Sequence, residues 1–284
     1  MEGEAPHCAE VSRLVGEPLA GTAPHVKRWL CVEHPGAWTS TAAQDHDPEI
    51  VALAERAADA GWRLTFLRRP GRRGAAGPRR VYFADSGAGR MLAARVDSVR
   101  DLELRVEQGE PVAEPVLLVC AHGARDRCCV EDGRPLAAEL AEGGIDVWEC
   151  SHLGGHRYAA TALLLPSGYV YGRLDRRTAL AAFRAAEGGK VEVENCRGRS
   201  IWQAAGQIAE LAVREAAGVR VIGALTVDVT GPLAARVTCV DDGAVWEVRL
   251  RKDTLAARPP SCGTEPEPAT PLVVDAVERV ERGG

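Results

Sequence analysis

The stretch EPVLLVCAHGARDRCCVEDGRPLAAELAEGGIDVWECSHLGGHR, residues 114–157, decides the fold. EPVLLVCA (114–121) is a continuous apolar, β-prone run, the pattern of a strand buried on both faces. GRPLAAELAEGG (133–144) has helical spacing and closes on two glycines, and IDVWECS (145–151) returns to strand. Strand, helix and strand in so short a span predict a βαβ unit with parallel strands. Both strands then end on the same sheet edge, where α/β proteins build sites. The loop CAHGARDRCC (120–129) is thereby brought beside CSHLGGHR (150–157).

Beyond this unit, YAATALLLPSGYVYGRL (158–174) reads as a hairpin across Pro166-Ser167-Gly168. TALAAFRAAEGG (178–189) reads as a helix with Thr178 near its N-cap. The order β-α-β, hairpin, α is that of a thioredoxin-like layer. SIWQAAGQIAELAVREAAG (200–218) predicts a long amphipathic helix with Ser200 as N-cap. Arg197 and Arg199 would stand at its opening, either pairing near the site or solvated. Upstream, VKRWLCVE (26–33), PEIVALAERAADAG (48–61) and WRLTFLRR (62–69) weakly echo the strand–helix–strand order, and RVYFAD and MLAARVD form a hairpin across SGAG. RRPGRRGAAGPRR (68–80), with six arginines, reads as a solvated loop or as a docking patch for an acidic protein. Downstream, ALTVDV, AARVTCV and AVWEVRLR are short strands, and ARPPSCGTEPEPATP (257–271) is expected to be a partly flexible linker. The expected division is an N-terminal α/β lobe (1–110), a core (111–218) and a small β-rich C-terminal extension with its Pro-rich linker (219–284).

The 284 residues are 46% hydrophobic and 26% charged, as in an ordinary globular protein. A net charge of −5 leaves no electrostatic footprint for nucleic acid. No apolar run approaches the roughly 20 residues of a membrane span, and MEGEAPHCAEVSRL lacks the regions of a signal peptide. The expected location is the cytoplasm, with no membrane partner. Nine cysteines, an odd number, are then not a disulfide framework. Cys8, Cys31, Cys150, Cys196, Cys239 and Cys262 are scattered and read as small buried hydrophobes. Cys120, Cys128 and Cys129 are clustered.

His152 and His156 are four residues apart, but the intervening Gly154-Gly155 makes a loop rather than a helical turn. A phosphatase loop needs an arginine six positions after its cysteine, and here Arg125 and Arg127 stand at five and seven from Cys120. A zinc-peptidase helix needs Glu where this chain has Leu153. A thioredoxin redox pair needs C-x-x-C, and Cys128-Cys129 is vicinal. The remaining readings are a Cys2His2 site, holding either structural zinc or an iron–sulfur cluster, or a polar loop satisfied by its own hydrogen bonds.

CAHGARDRCCVEDGRP, WECSHLGGHRYAATALLLPSGYVYGRL and NCRGRSIWQAAGQIAELAVRE together resemble the sucrase/ferredoxin-like family of thioredoxin-like ferredoxins. So does GEPLAGTAPHVKRWLCVEHPGAW near the start, and the likeness runs over roughly residues 8–250. The resemblance implies an α/β thioredoxin-like ferredoxin core and a [2Fe–2S] cluster. Residue by residue, it puts the ligands on Cys120, Cys129, His152 and His156, with Cys128 as an alternative to its neighbour. Asp126 and Arg157 would lie just outside them. Two neutral imidazoles in place of two thiolates raise the potential, and each would keep an ionisable outer N–H. The family name's "sucrase" finds no carboxylate pair in this chain. The implied function is one-electron transfer or redox response with a partner protein, a reductase or an electron acceptor, rather than stand-alone catalysis. The alternatives are a structural Cys2His2 zinc module for protein interaction and an oxidoreductase with its own small substrate.

Overall fold

The computed structural model describes residues 7–71, 77–104 and 109–280. Helix α1 (Cys8–Leu14) precedes a first unit of β1 (Arg28–Glu33), α2 (Pro48–Asp59), β2 (Arg63–Arg68), the hairpin β3 (Arg79–Asp85) and β4 (Arg90–Val96), and β5 (Glu110–Pro111). A second unit follows with β6 (Val116–Cys120), α3 (Arg127–Glu142), β7 (Val147–Cys150), the hairpin β8 (Ala162–Leu165) and β9 (Tyr169–Tyr171), α4 (Arg176–Glu187) and β10 (Cys196–Arg199). All ten strands form one sheet in the order β10-β9-β8-β6-β7-β2-β1-β3-β4-β5.

In both units the first strand lies between a parallel partner and an antiparallel hairpin, giving β7-β6-β8-β9 and β2-β1-β3-β4. The second is the thioredoxin-like order read from the sequence, and the fold is α/β. The echo in the first third is this repeated strand order. The units join through a short antiparallel pairing, Leu67 opposite Cys150 and Arg68 opposite Glu149. The strands of the expected N-terminal lobe and of the expected core therefore share a sheet. Of the arginine-rich segment 68–80, residues 72–76 lie outside the described part of the chain.

Strand β6 is buried at every residue, as its unbroken apolar run predicts. Leu117 and Val119 pack with Leu136, Ala137 and Leu140 of α3, while Leu118 and Cys120 face Trp29 and Leu67 of the first unit. Helix α3 starts at Arg127, six residues before the glycine taken as its beginning. Asp126 is its N-cap, accepting the Cys128 N–H at 2.9 Å. Gly133 and Pro135, which look like a helix start, lie inside it. A Cβ at Gly133 would overlap the Cys120 carbonyl, whose carbon would stand at 3.0 Å. That close approach seats the first turn of α3, with Cys128 and Cys129, against the end of β6.

Two other expected boundaries shift for similar reasons. Asp175 caps α4 in a capping box with Thr178 at its third position. Helix α5 (Ala204–Ala217) starts after Gln203, and Ser200 instead donates its hydroxyl to the Val26 carbonyl at 2.7 Å. Arg197 and Arg199 are buried on β10, not solvated at a helix start.

The remaining strands are β11 (Leu225–Gly231), β12 (Ala234–Cys239), β13 (Val245–Lys252), β14 (Leu255–Arg258), β15 (Glu267–Ala269) and β16 (Leu272–Val280). Strands β11-β12-β13-β16 form an antiparallel sheet over α5, with Val237, Val248 and Leu250 packed on Ala205, Ile208, Ala209 and Val213. The Pro-rich stretch is not a loose linker. It pairs β14 with β15, and the turn between them is pressed onto α1 and the start of α3. Among the described residues no helix is long and apolar enough to cross a membrane.

The contact at Gly133 is testable. Gly133→Ala should destabilise the protein by about 2 kcal/mol, in the range of core overpacking, although alanine is the better helix former. Urea denaturation measures this, and unchanged stability would mean that α3 does not depend on that approach.

Candidate metal centre

Cys120 ends β6, Cys129 lies in the first turn of α3, and His152 follows β7. Their donor atoms lie within 4.8 Å of one another, with His152 Nδ1 3.8 Å from Cys129 Sγ. The sheet edge fixes Cys120: its N–H donates to the Thr161 carbonyl at 2.9 Å, and the next N–H donates to that of Cys150 at 3.0 Å. The His152 backbone is held from two sides. Its N–H donates to His122 Nδ1 at 3.0 Å, and its carbonyl accepts from Arg63 Nη2 at 3.0 Å. The other nitrogen of His122 lies 2.8 Å from the Thr39 carbonyl, which can only accept, so Nε2 carries the proton. Burial lowers the His122 pKa and keeps that ring neutral.

His156 stands outside this set of three, but its ring stacks on His152 with centroids 5.4 Å apart. Its Nε2 lies 2.7 Å from both the Pro260 carbonyl and the Ser261 hydroxyl. Because a carbonyl only accepts, Nε2 is the protonated nitrogen and Nδ1 keeps a lone pair. That Nδ1 is buried and has no hydrogen-bond partner. Burial lowers the His156 pKa, against the opposing pull of Asp126 at 3.7 Å. A buried imidazole lone pair on a ring stacked against His152, which itself lies with the Cys120 and Cys129 thiols, suits the donor set of a Cys2His2 centre. The Nε2 side of His156 faces Pro260 and Ser261.

The glycine pair has a steric cause. Gly154 and Gly155 have φ of +93° and +74°, and a Cβ on Gly155 would stand 2.8 Å from the Arg197 guanidinium carbon. Arg197 supports the loop from beneath, donating to the Gly154 carbonyl at 2.8 Å, to the Thr22 hydroxyl at 3.0 Å and to the Thr22 carbonyl. Burial lowers its pKa to about 10, so it stays charged at neutral pH. Arg63 is half-buried, and both guanidiniums feel the charge of Cys120. Arg157 does not project toward solvent. Its Nε donates to Glu17 at 3.0 Å, and Glu17 also accepts from Arg258 at 2.7 Å and Ser12 at 2.9 Å.

Cys128 turns away from Cys129 into a second group. Donor atoms of Cys8, Asp126, Cys128 and Cys262 lie within 4.8 Å of one another. The sulfurs are 3.6 Å apart for Cys8 and Cys128, 3.3 Å for Cys128 and Cys262, and 3.6 Å for Cys262 and Cys8. Cys8 and Cys262 are thus not the isolated apolar fillers that the sequence suggested. In each group a neighbouring thiol hydrogen-bonds to one sulfur and lowers its pKa. Cys129 does so for Cys120, and Cys8 does so for Cys128, which falls to about 6. The donors Cys129 and Cys8 are pushed up in turn.

Sequence reading missed Arg63, His122 and the Cys8–Cys262 contact. His122 carried a signal, since it lies inside the C-x-H-G run, but its role needs Thr39 from another unit. A family model described as sucrase/ferredoxin-like matches residues 19–198. That span holds Cys120, Cys128, Cys129, His152 and His156, whereas Cys8 and Cys262 fall outside it. No curated protein and no solved structure matches the chain.

Glu17 gives the region a pH dependence. Burial alone raises its pKa, but Arg258, Arg157 and Ser12 outweigh this and lower it from 4.5 to about 2. A depressed carboxylate pKa adds stability that is complete above the unfolded value and lost as pH falls through the folded one. The shift corresponds to about 3 kcal/mol at neutral pH. Glu17→Gln should therefore lose about that much at pH 7, with the gap to wild type narrowing from pH 4.5 toward 2. Urea titrations over pH check this, and a gap that ignores pH would contradict it.

Proposed function

We propose, for a chain that belongs to the sucrase/ferredoxin-like family, that Cys120, Cys129, His152 and His156 hold a [2Fe–2S] cluster in a one-electron carrier or redox-responsive protein. The observation that carries this reading is the buried, unpartnered Nδ1 of His156 stacked beside His152. Bound there, the cluster supplies a one-electron couple whose potential is raised by imidazole in place of thiolate.

The chain's own residues prepare the ligands. Pro260 fixes the His156 tautomer, leaving the buried Nδ1 with its lone pair and strengthening it as a donor. His122 and Arg63 hold the His152 backbone from opposite sides. Arg63 and Arg197 offset thiolate charge that would otherwise be costly to bury. Leu153, between the two histidines in sequence, is fully buried in the apolar cluster that includes Cys120 and Cys129. A redox partner protein, reductase or acceptor, completes the function. Nine free cysteines accord with a reducing, cytoplasmic setting.

Anaerobic reconstitution should yield about two irons and two acid-labile sulfides per chain, with visible absorption that bleaches on reduction. Zinc at these ligands with no labile sulfide would overturn the reading in favour of a structural zinc module. Cys120→Ser and Cys129→Ser should lose the absorption, and Cys128→Ser should keep it. Each of His152→Cys and His156→Cys should lower the midpoint potential, because an anion replaces a neutral ligand. Redox titration tests this, and potentials unchanged by both substitutions would remove the histidines from the ligand set.

A further inference from the structure

We propose that Cys8, Cys128 and Cys262, with the Asp126 carboxylate, form a second metal site that takes a zinc ion and is separate from the four residues assigned to the cluster. The three sulfurs form a nearly equilateral triangle with edges of 3.3, 3.6 and 3.6 Å. Zinc–thiolate bonds of about 2.3 Å in a tetrahedron set a sulfur–sulfur edge of about 3.8 Å. The thiols need shift by only a few tenths of an ångström to reach it. A disulfide, with its bond of about 2.05 Å, would take two sulfurs and strand the third beside a carboxylate.

Asp126 supplies the fourth corner. Its oxygens lie 3.8 and 4.0 Å from Cys8 Sγ, and each accepts one backbone N–H, from Cys128 at 2.9 Å and Cys262 at 3.0 Å. Each oxygen therefore keeps a lone pair. The surroundings suit anionic ligands. The positive end of the 16-residue helix α3 opens at Asp126, and the Ala9 and Cys8 backbones hydrogen-bond to the Cys128 and Cys262 thiols. Cys8 and Cys128 are fully buried, while Cys262 lies at the floor of an open depression of about 350 Å³ lined by Arg125, Asp126, Arg127, Ser261 and Gly263, which gives an ion a path in. Thiolate-rich tetrahedral sets select zinc among hard and borderline ions, and binding releases the thiol protons to solvent.

The ligands come from the first turn of α1, the start of α3 and the turn after β14, so the ion clamps α1 and the β14–β15 turn to the residue preceding Cys129. The inference is independent of the cluster, since the ligand sets do not overlap. The test is metal analysis of full-length protein, reduced, incubated with zinc and freed of excess, with X-ray absorption at the zinc edge. Wild type should hold about one zinc with three sulfur ligands and one oxygen. Cys8→Ser and Cys262→Ser should lose the zinc and keep the iron, whereas Cys120→Ser should lose the iron and keep the zinc. Zinc loss should also make Cys262 reactive to alkylation in wild type treated with a chelator, a readout that needs no variant. Wild type without zinc, zinc bound by two sulfurs and two nitrogens, or a disulfide within the trio in zinc-treated protein would each overturn the proposal.

Discussion

One buried carboxylate, that of Asp126, accepts the Cys128 N–H at 2.9 Å and the Cys262 N–H at 3.0 Å and lies 3.7 Å from His156 Nε2. The first contact starts α3 and so orients the vicinal cysteines, one toward Cys120 and His152, the other toward Cys8 and Cys262. The second fixes the turn whose Pro260 and Ser261 cover His156. A helix that began later would leave both thiols on a flexible loop. The start of α3 therefore couples the two groups, each of which depends on it for a thiol.

The first unit serves the second without carrying a comparable group among its described residues. Its strands repeat the β-α-β-hairpin order, yet its contribution is Arg63 on the His152 carbonyl, Thr39 on His122 and Trp29 in the shared core. Joining at the β2–β7 edge brings these groups within reach, because Ser151 continues the pairing as far as Phe66. The duplicated architecture thus supplies a wall and a set of hydrogen-bond partners.

What could be read from the sequence was local. Apolar runs and glycine stops gave β6, β7 and the hairpins, because strand periodicity and turn chemistry act over a few residues. Parallel pairing then brought the cysteine and histidine loops together. The start of α3 was hidden because Gly133 and Pro135 look like a boundary, while the real reason for the glycine is the carbonyl of Cys120. For Arg197 the sequence left pairing near the site and a solvated helix start both open, and only the fold chooses the first, with the guanidinium beneath Gly155. Cys8 and Cys262 gave no signal at all. They are 254 residues apart, and no periodicity reports a contact of that span.

The seal that Pro260 and Ser261 place over His156 also sets an order of events during synthesis. Every residue proposed to hold the cluster lies between Cys120 and His156, so those residues leave the ribosome about a hundred residues before the turn that covers them. Until then the histidine edge has no cover from this turn. Once the last strands form, the same turn closes over it. The proposed ligands are thus complete in the chain before their cover is made, and a chain truncated before residue 259 would keep those ligands and lack the turn over His156.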